Sequence, residues 1–262
     1  MRSVKREIAT MAIGFLLLSG SVSLSRHSAA VAQSSANDNN LRAEIMNKAL
    51  NKSKFKGVQV AVQNGLVTLT GTVDVFDTKV DADRRVHRTK GVKGVDNEIE
   101  VAGPDVPDGV LQQKLVKAIS YDRVGYGTTA YNAISVNVQN GVVTLSGTAY
   151  GPVDADSAVA VAANTKGVKD VVNDISVDPV SPMDDRIRIA VFRSVYGFPS
   201  LNRYAIDPAK PIRISVQNGN VTLYGVVDSQ SDKDAAGIRA NSVPGVFKVT
   251  NNLQVAGAGQ EK

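Results

Sequence analysis

The fourteen residues 58–71, Val-Gln-Val-Ala-Val-Gln-Asn-Gly-Leu-Val-Thr-Leu-Thr-Gly, return almost unchanged at 134–147 and again at 212–225. Asn-Gly between two alternating apolar runs specifies a two-residue type I′ turn, because both central residues need a positive φ that Asn and Gly tolerate best. Asn64-Gly65, Asn140-Gly141 and Asn218-Gly219 are therefore predicted as three hairpin tips. With that turn Val62 faces Val67, Val60 faces Leu69 and Val58 faces Gly71, so one face of the ribbon is apolar. Gln59, Ala61, Gln63, Thr68 and Thr70 fall on the other face. One hairpin, used three times, organises the chain.

The flanks repeat as well. Ahead of the first hairpin, Leu41, Ile45, Ala49 and Leu50 stand at helical spacing. Behind it, residues 74–90 read as a second helix with Val80, Ala82 and Val86 on its core side and Asp77 as a candidate cap. Its acids come early (Asp77, Asp81, Asp83) and its bases late (Arg84, Arg85, Arg88, Lys90), an order that complements the helix dipole. Gly91 to Gly94 stops that helix, and Val95, Asn97, Ile99 and Val101 alternate as a third strand. The plan α-β-β-α-β fits residues 110–177 and 187–255 too. The tip asparagines are 76 and 78 residues apart, and Gly91, Gly167 and Gly245 have the same two separations, the mark of a duplicated domain.

The expected fold class is α+β: three tandem two-layer sandwiches, each a mixed three-stranded sheet with both helices on one face. Strand two is expected in the centre, antiparallel to strand one and parallel to strand three. The units are placed at 41–102, 106–178 and 184–256, with a flexible polar leader at 33–40 and a tail at 257–262. Short Pro-rich joints and marginal core size favour a compact body over separate beads.

The N-terminus reads as an export signal: Arg2, Lys5 and Arg6, an apolar core over 11–18, then Ala30-Val31-Ala32, with cleavage expected after Ala32 and periplasmic residence as the consequence. The rival reading is an uncleaved anchor, against which the run is short and broken by Gly14, Ser19, Gly20 and Ser21. The net charge of +5 includes Arg2, Lys5, Arg6 and Arg26 against Glu7 in that segment, so 5 − 3 leaves +2 for the rest.

No Cys is present, which excludes disulfides, thiol chemistry and lipid attachment through Cys. His87 stands alone among Arg84, Arg85, Arg88 and Lys90 once His27 leaves with the signal, so no His-based metal site or triad is expected. Gly125-Tyr126-Gly127-Thr128 lacks the Lys and the spacing of a phosphate loop. Gly91-Val92-Lys93-Gly94 matches a KH loop only in letters, since a strand and not a helix follows it. No catalytic residue, cofactor, metal or nucleic-acid partner is expected.

Two features remain as candidate contacts. Lys52, Lys54, Lys56, Arg84, Arg85, Arg88, Lys90 and Lys93 could meet an anionic membrane surface, or could be no more than a solvated helix face. The loops ahead of hairpins two and three, longer than the first, bring Tyr126, Tyr196, Phe198, Arg203 and Tyr204 as recognition residues or as packing plugs. Asn97, Asn173 and Asn251 recur on the core side of the third strand and are expected to bond a loop or helix-end backbone group.

The pattern apolar-Xaa-Val-Xaa-Asn-Gly-Xaa-Val-Thr-Leu-Xaa-Gly, then a helix, then Gly-Val-Xaa-Xaa-Val-Xaa-Asn-Xaa-apolar-Xaa-Val, resembles the BON domain (bacterial OsmY and nodulation), in three copies. The second half is carried by residues 91–101, 167–177 and 245–255. That resemblance implies the α-β-β-α-β fold, residence in the bacterial envelope, no catalysis, and contact with phospholipid or support of the envelope under osmotic stress. Family members with two domains and some with a lipid-attachment Cys are known; three domains without Cys point toward a soluble periplasmic protein. The alternative role is a protein-binding or chaperone-like module for envelope proteins, using the loop aromatics and exposed hairpin edges.

Overall fold

The computed structural model describes residues 35–124 and 127–257. The export segment, Tyr126 and residues 258–262 of the tail lie outside the described residues. Each unit follows the α-β-β-α-β order. Unit one holds α1 (35–44, continued by one π-turn at Ile45–Ala49), β1 (Val58–Gln63), β2 (Leu66–Val73) and α2 (Phe76–His87). Its third strand is split into β3 (Gly94–Asn97) and β4 (Glu100–Val101). Unit two has α3 (Asp108–Asp122), β5 (Ala133–Gln139), β6 (Val142–Ala149), α4 (Pro152–Ala163) and β7 (Asp170–Val177). Unit three has α5 (Pro182–Tyr196), β8 (Arg213–Gln217), β9 (Asn220–Val227), α6 (Gln230–Asn241) and β10 (Lys248–Val255).

The hairpin register is the one the Asn-Gly turn dictates: Val62 opposite Val67, Val60 opposite Leu69, Val58 opposite Gly71. Asn64, Asn140 and Asn218 are the non-glycine residues with positive φ among the described residues, each followed by a glycine at φ +74° to +80°. β2, β6 and β9 are central, antiparallel to the first strand and parallel to the third. Val60, Val67 and Leu69 meet Ile45, Ala82 and Val86 in the core of unit one. Leu145 with Leu111 and Ala158, and Leu223 with Ile187 and Ala236, repeat the arrangement.

A recurrent asparagine fastens the third strand to the second helix. Asn97 Nδ2 donates to the Lys79 carbonyl of α2 at 3.1 Å, while its Oδ1 accepts from Ile99 N at 3.3 Å. The amide thus ties strand to helix across an irregularity that would otherwise leave buried groups unpaired. Asn251 does the same with Lys233 O and Leu253 N.

Residues 35–40 correct the expectation of a flexible leader: they form the first turns of α1. The reason is Asp38, whose two carboxylate oxygens accept from the tip N–H groups of Asn64 (2.7 Å) and Gly65 (3.0 Å). Asp108 holds Asn140 and Gly141 in the same way, and Asp184 holds Asn218 and Gly219. A type I′ turn leaves these two amides pointing outward, and a carboxylate fixed in a helix's first turn satisfies both. Hydrogen bonds to a charged group contribute about 1.5–3 kcal/mol each where buried, so the first helix and the hairpin tip fold as one piece.

The units dock differently. Between one and two, Phe76 and Val106 pack against the core of unit two, and Lys169 reaches Asp105 of the joint at 3.2 Å. Between two and three the contact is polar and buried, as described below.

Candidate functional site

The structure divides the basic face of unit one into two sets. Arg85 Nε donates to Asp81 Oδ2 at 2.8 Å and Lys54 Nζ lies 3.0 Å from the same oxygen. Both cations also lie over the Phe55 ring, at 5.7 and 5.3 Å from its centroid. Burial pushes the Asp81 carboxyl up, yet the hydrogen bonds and charges of Arg85 and Lys54 outweigh it and hold the carboxyl below its ordinary value. Lys54 and Arg85 therefore fasten the short turn Ser53–Phe55 onto α2. Their charge is spent internally.

The second set faces solvent. Arg88, Lys90, Lys93, Lys52 and Lys56 are exposed and make no ion pair among the described residues, and Arg84 reaches Asp81 only at 4.0 Å. Arg84, Arg88 and Lys90, with Lys48, rim a groove of about 450 Å³ where the C-terminal ends of α1 and α2 converge, Glu44 and Asp81 also lining it. Lys90 and Lys93 rim a neighbouring groove of about 670 Å³ that runs to the hairpin tip. Such a surface carries an excess of positive charge. It offers no nucleophile–base pair, and no group of three or more metal-ligating side chains occurs among the described residues. No described helix is long and apolar enough to cross a membrane.

The loop aromatics fall elsewhere than a recognition surface. Tyr196 is buried in the core of unit three, its hydroxyl donating to Ile212 O at 2.7 Å, and burial pushes that hydroxyl's pKa up. Tyr204 is buried as well, donating to Asp232 at 3.0 Å and accepting from Asp228 N. Phe198 packs against the same core under Arg239. Arg203 runs across the loop to Asp232 and Asp228. Tyr196 and Tyr204 are thus corrected from candidate partner contacts to core residues, because a small sheet flanked by small helix residues such as Ala236 and Ala240 needs bulk from its loop.

Four buried or half-buried polar positions that hold the structure together escaped the sequence reading. Asp154 in the first turn of α4 is buried and accepts from Arg123, Thr128 and Asn132; Asp232 in α6 accepts from Arg203, Tyr204 and Ser229. Burial pushes the Asp232 carboxyl up, but its hydrogen bonds and the Arg203 charge carry it below the ordinary value. Arg188 of α5 is 1% exposed and joins units two and three: Nη2 donates to Asp178 Oδ2 at 3.2 Å and Val216 O at 3.0 Å, and Nη1 binds Asp185. Its guanidinium lies 4.9 Å from the Tyr150 ring centroid. Arg213 reaches back from β8 to the Asn132 and Thr129 carbonyls at 2.6 and 3.2 Å. The turn-clamping acids, also missed, did leave a signal: Asp38, Asp108 and Asp184 each stand three residues before a core aliphatic, Leu41, Leu111 or Ile187.

Comparison with known proteins follows the same threefold division. The family model of the BON domain matches residues 37–103, 107–179 and 200–257. The chain is 29% identical over 199 residues to the osmotically-inducible protein Y of Escherichia coli (strain K12), which covers 72% of this chain and 92% of that one. It is 33% identical over 125 residues to an uncharacterized protein in the gshII 5′ region of Anaplasma centrale, covering 45% of this chain and 80% of that one. Among solved structures, the C-terminal domain of CdsD, a structural protein of the type III secretion system of Chlamydia trachomatis, aligns over 81% of this chain and 96% of its own. There the TM-score is 0.24 and the identity 16%. With the hairpin, the mixed sheet and the family match all repeating three times in register, the chain belongs to the BON domain family.

Proposed function

We propose that this chain is a non-enzymatic protein of the bacterial envelope, exported to the periplasm, that binds anionic phospholipid peripherally and supports the envelope under osmotic stress. The observation that carries the reading is the exposed set Arg84, Arg88, Lys90 and Lys93 around converging grooves of unit one. A cation near an anionic leaflet contributes about 1 kcal/mol, so four give weak, salt-sensitive attachment. The osmotically-inducible relative supports the stress role, and the buried loop aromatics lend nothing to a protein-binding one.

Co-sedimentation of the full chain with phosphatidylglycerol-containing vesicles tests this. Binding is expected at low salt and should weaken as the Debye length falls from about 10 Å at 0.1 M to about 3 Å at 1 M. Arg84→Glu with Arg88→Glu and Lys90→Glu should reduce binding at least tenfold at unchanged melting temperature. No sedimentation of the wild type at low salt refutes the proposal.

A further inference from the structure

At the tip end of unit three, the surface changes character. Phe247 is 84% exposed, and its ring lies against Gly219 of the turn while its N–H donates to Gly219 O at 2.9 Å. Met183, at the start of α5, is 60% exposed, and Val180 just before it is 94% exposed. Asp184 clamps this helix start to the same turn, and a Cβ at Gly245 would lie 3.5 Å from Ile187, so the chain leading to Phe247 runs beside the second turn of α5. Three exposed apolar side chains gather at one end of a water-facing unit.

Packing does not demand them. The positions of Met183 and Phe247, counted from the clamping Asp and from the glycine that ends the second helix, hold Asn37 and Lys93 in unit one. In unit two they hold Pro107 and Lys169. The Lys93 and Lys169 stems lie on Gly65 and Gly141 as the Phe247 ring lies on Gly219. The fold accepts lysine there twice and carries phenylalanine once.

We infer that the tip of unit three inserts Phe247 into the headgroup–acyl boundary of an anionic bilayer, Met183 and Val180 resting beside it. This deepens the phospholipid reading and rests on it. The charges fit: Arg186 and Lys248 are exposed beside these residues, while Asp184 is taken up by the turn amides and Asp185 by Arg188. The extent fits as well. Three such side chains offer roughly 400 Å², below the roughly 800 Å² each partner gives a stable protein interface, but enough for an aromatic anchor at a membrane boundary. Taking a Phe ring out of water raises affinity by at least about tenfold.

The chain contains no Trp, so Phe247→Trp places a single fluorophore at the tip. With phosphatidylglycerol vesicles the full chain should show a blue shift of that emission and quenching by brominated acyl chains. Phe247→Gln, polar and uncharged, should lower vesicle binding about tenfold without changing the melting temperature. If the wild type sediments with vesicles while the Trp emission stays unshifted and Phe247→Gln binds equally, the insertion is wrong and the phospholipid reading stands. If nothing sediments, the reading itself falls and the insertion with it. A shift that needs added envelope protein, or follows protein concentration without lipid, overturns the insertion in favour of a protein contact.

Discussion

Where unit three carries Asp232 in the first turn of its second helix, unit one carries Thr78; where unit three carries Arg188, four residues after the clamping Asp, unit one carries Arg42 at the same distance from Asp38. The members of each pair work differently. Asp232 is buried beneath a long loop that delivers Arg203 and Tyr204 to it, and unit two repeats this with Asp154 and Arg123. Unit one lacks the long loop, and with it the buried carboxylate; Phe55 plugs the corresponding gap. Asp154 and Asp232 each depend on the arginine and the hydroxyl that their loop delivers, so acid and loop come together. Arg188 is covered by unit two, while Arg42 lies exposed. The comparison teaches that units two and three each turn an arginine inward, Arg123 onto Asp154 and Arg188 onto Asp178, while unit one leaves Arg42, Arg88 and Lys90 at its surface.

The largest test of that contrast is Arg188→Ala. It leaves Asp178 buried without its cation, and breaking a buried pair by removing one partner costs about 3–5 kcal/mol. A fall in melting temperature and faster hydrogen exchange across β7 and β8 are expected, with Arg42→Ala indistinguishable from wild type. Equal effects of the two changes would erase the distinction between the units.

Next in size is the shared hairpin. Gly65→Val puts a β-branched residue at φ +80° and its Cβ against the Lys93 stem. A loss of about 2–3 kcal/mol is expected, appearing first as proteolytic cutting within unit one. Gly219→Val should strike unit three instead, so each unit can be opened separately. A Gly65→Val protein as stable as the wild type would sink the type I′ assignment.

The smallest effect is in acid. Asp232 has a folded pKa below its unfolded value of about 3.9, so its contribution is fully present above pH 4 and is lost as pH falls through the folded value. Unit three should hold its melting temperature down to about pH 4 and lose it below, and Asp232→Asn should flatten that slope. Thr78 cannot titrate, so the corresponding acid response in unit one falls to Asp81, whose folded pKa is lowered by Arg85 and Lys54. An Asp81→Asn protein with an unchanged acid slope would assign the loss elsewhere.

Strand order, register and turn type were all legible, because they follow from side-chain alternation and from the φ demands of Asn-Gly, which are local. The clamp by Asp38, Asp108 and Asp184 was partly legible. Its spacing to the next core aliphatic is constant, but its distance to the tip it binds runs from 26 to 34 residues, so no fixed interval announces the pair. The same variability disguised the start of α1 as a polar leader. For the candidate site, the charges could be counted in the sequence but their pairing could not. Lys54 and Arg85 look like Arg88 and Lys90 until Asp81 is seen between the first two.

By itself the sequence determined the unit: an Asn-Gly hairpin, a helix on either side of it, a parallel third strand, and three copies in register. Those follow from periodicity and backbone sterics acting over a few residues. Only the tertiary structure decided which copy's differences are internal and which face outward. It sent Tyr196, Tyr204 and Arg188 into the interior and left Arg88, Lys90 and Phe247 at the surface. The reason is that burial of a loop or a charge depends on what lies opposite it, and residues that meet across a sheet face or between units are far apart in the chain.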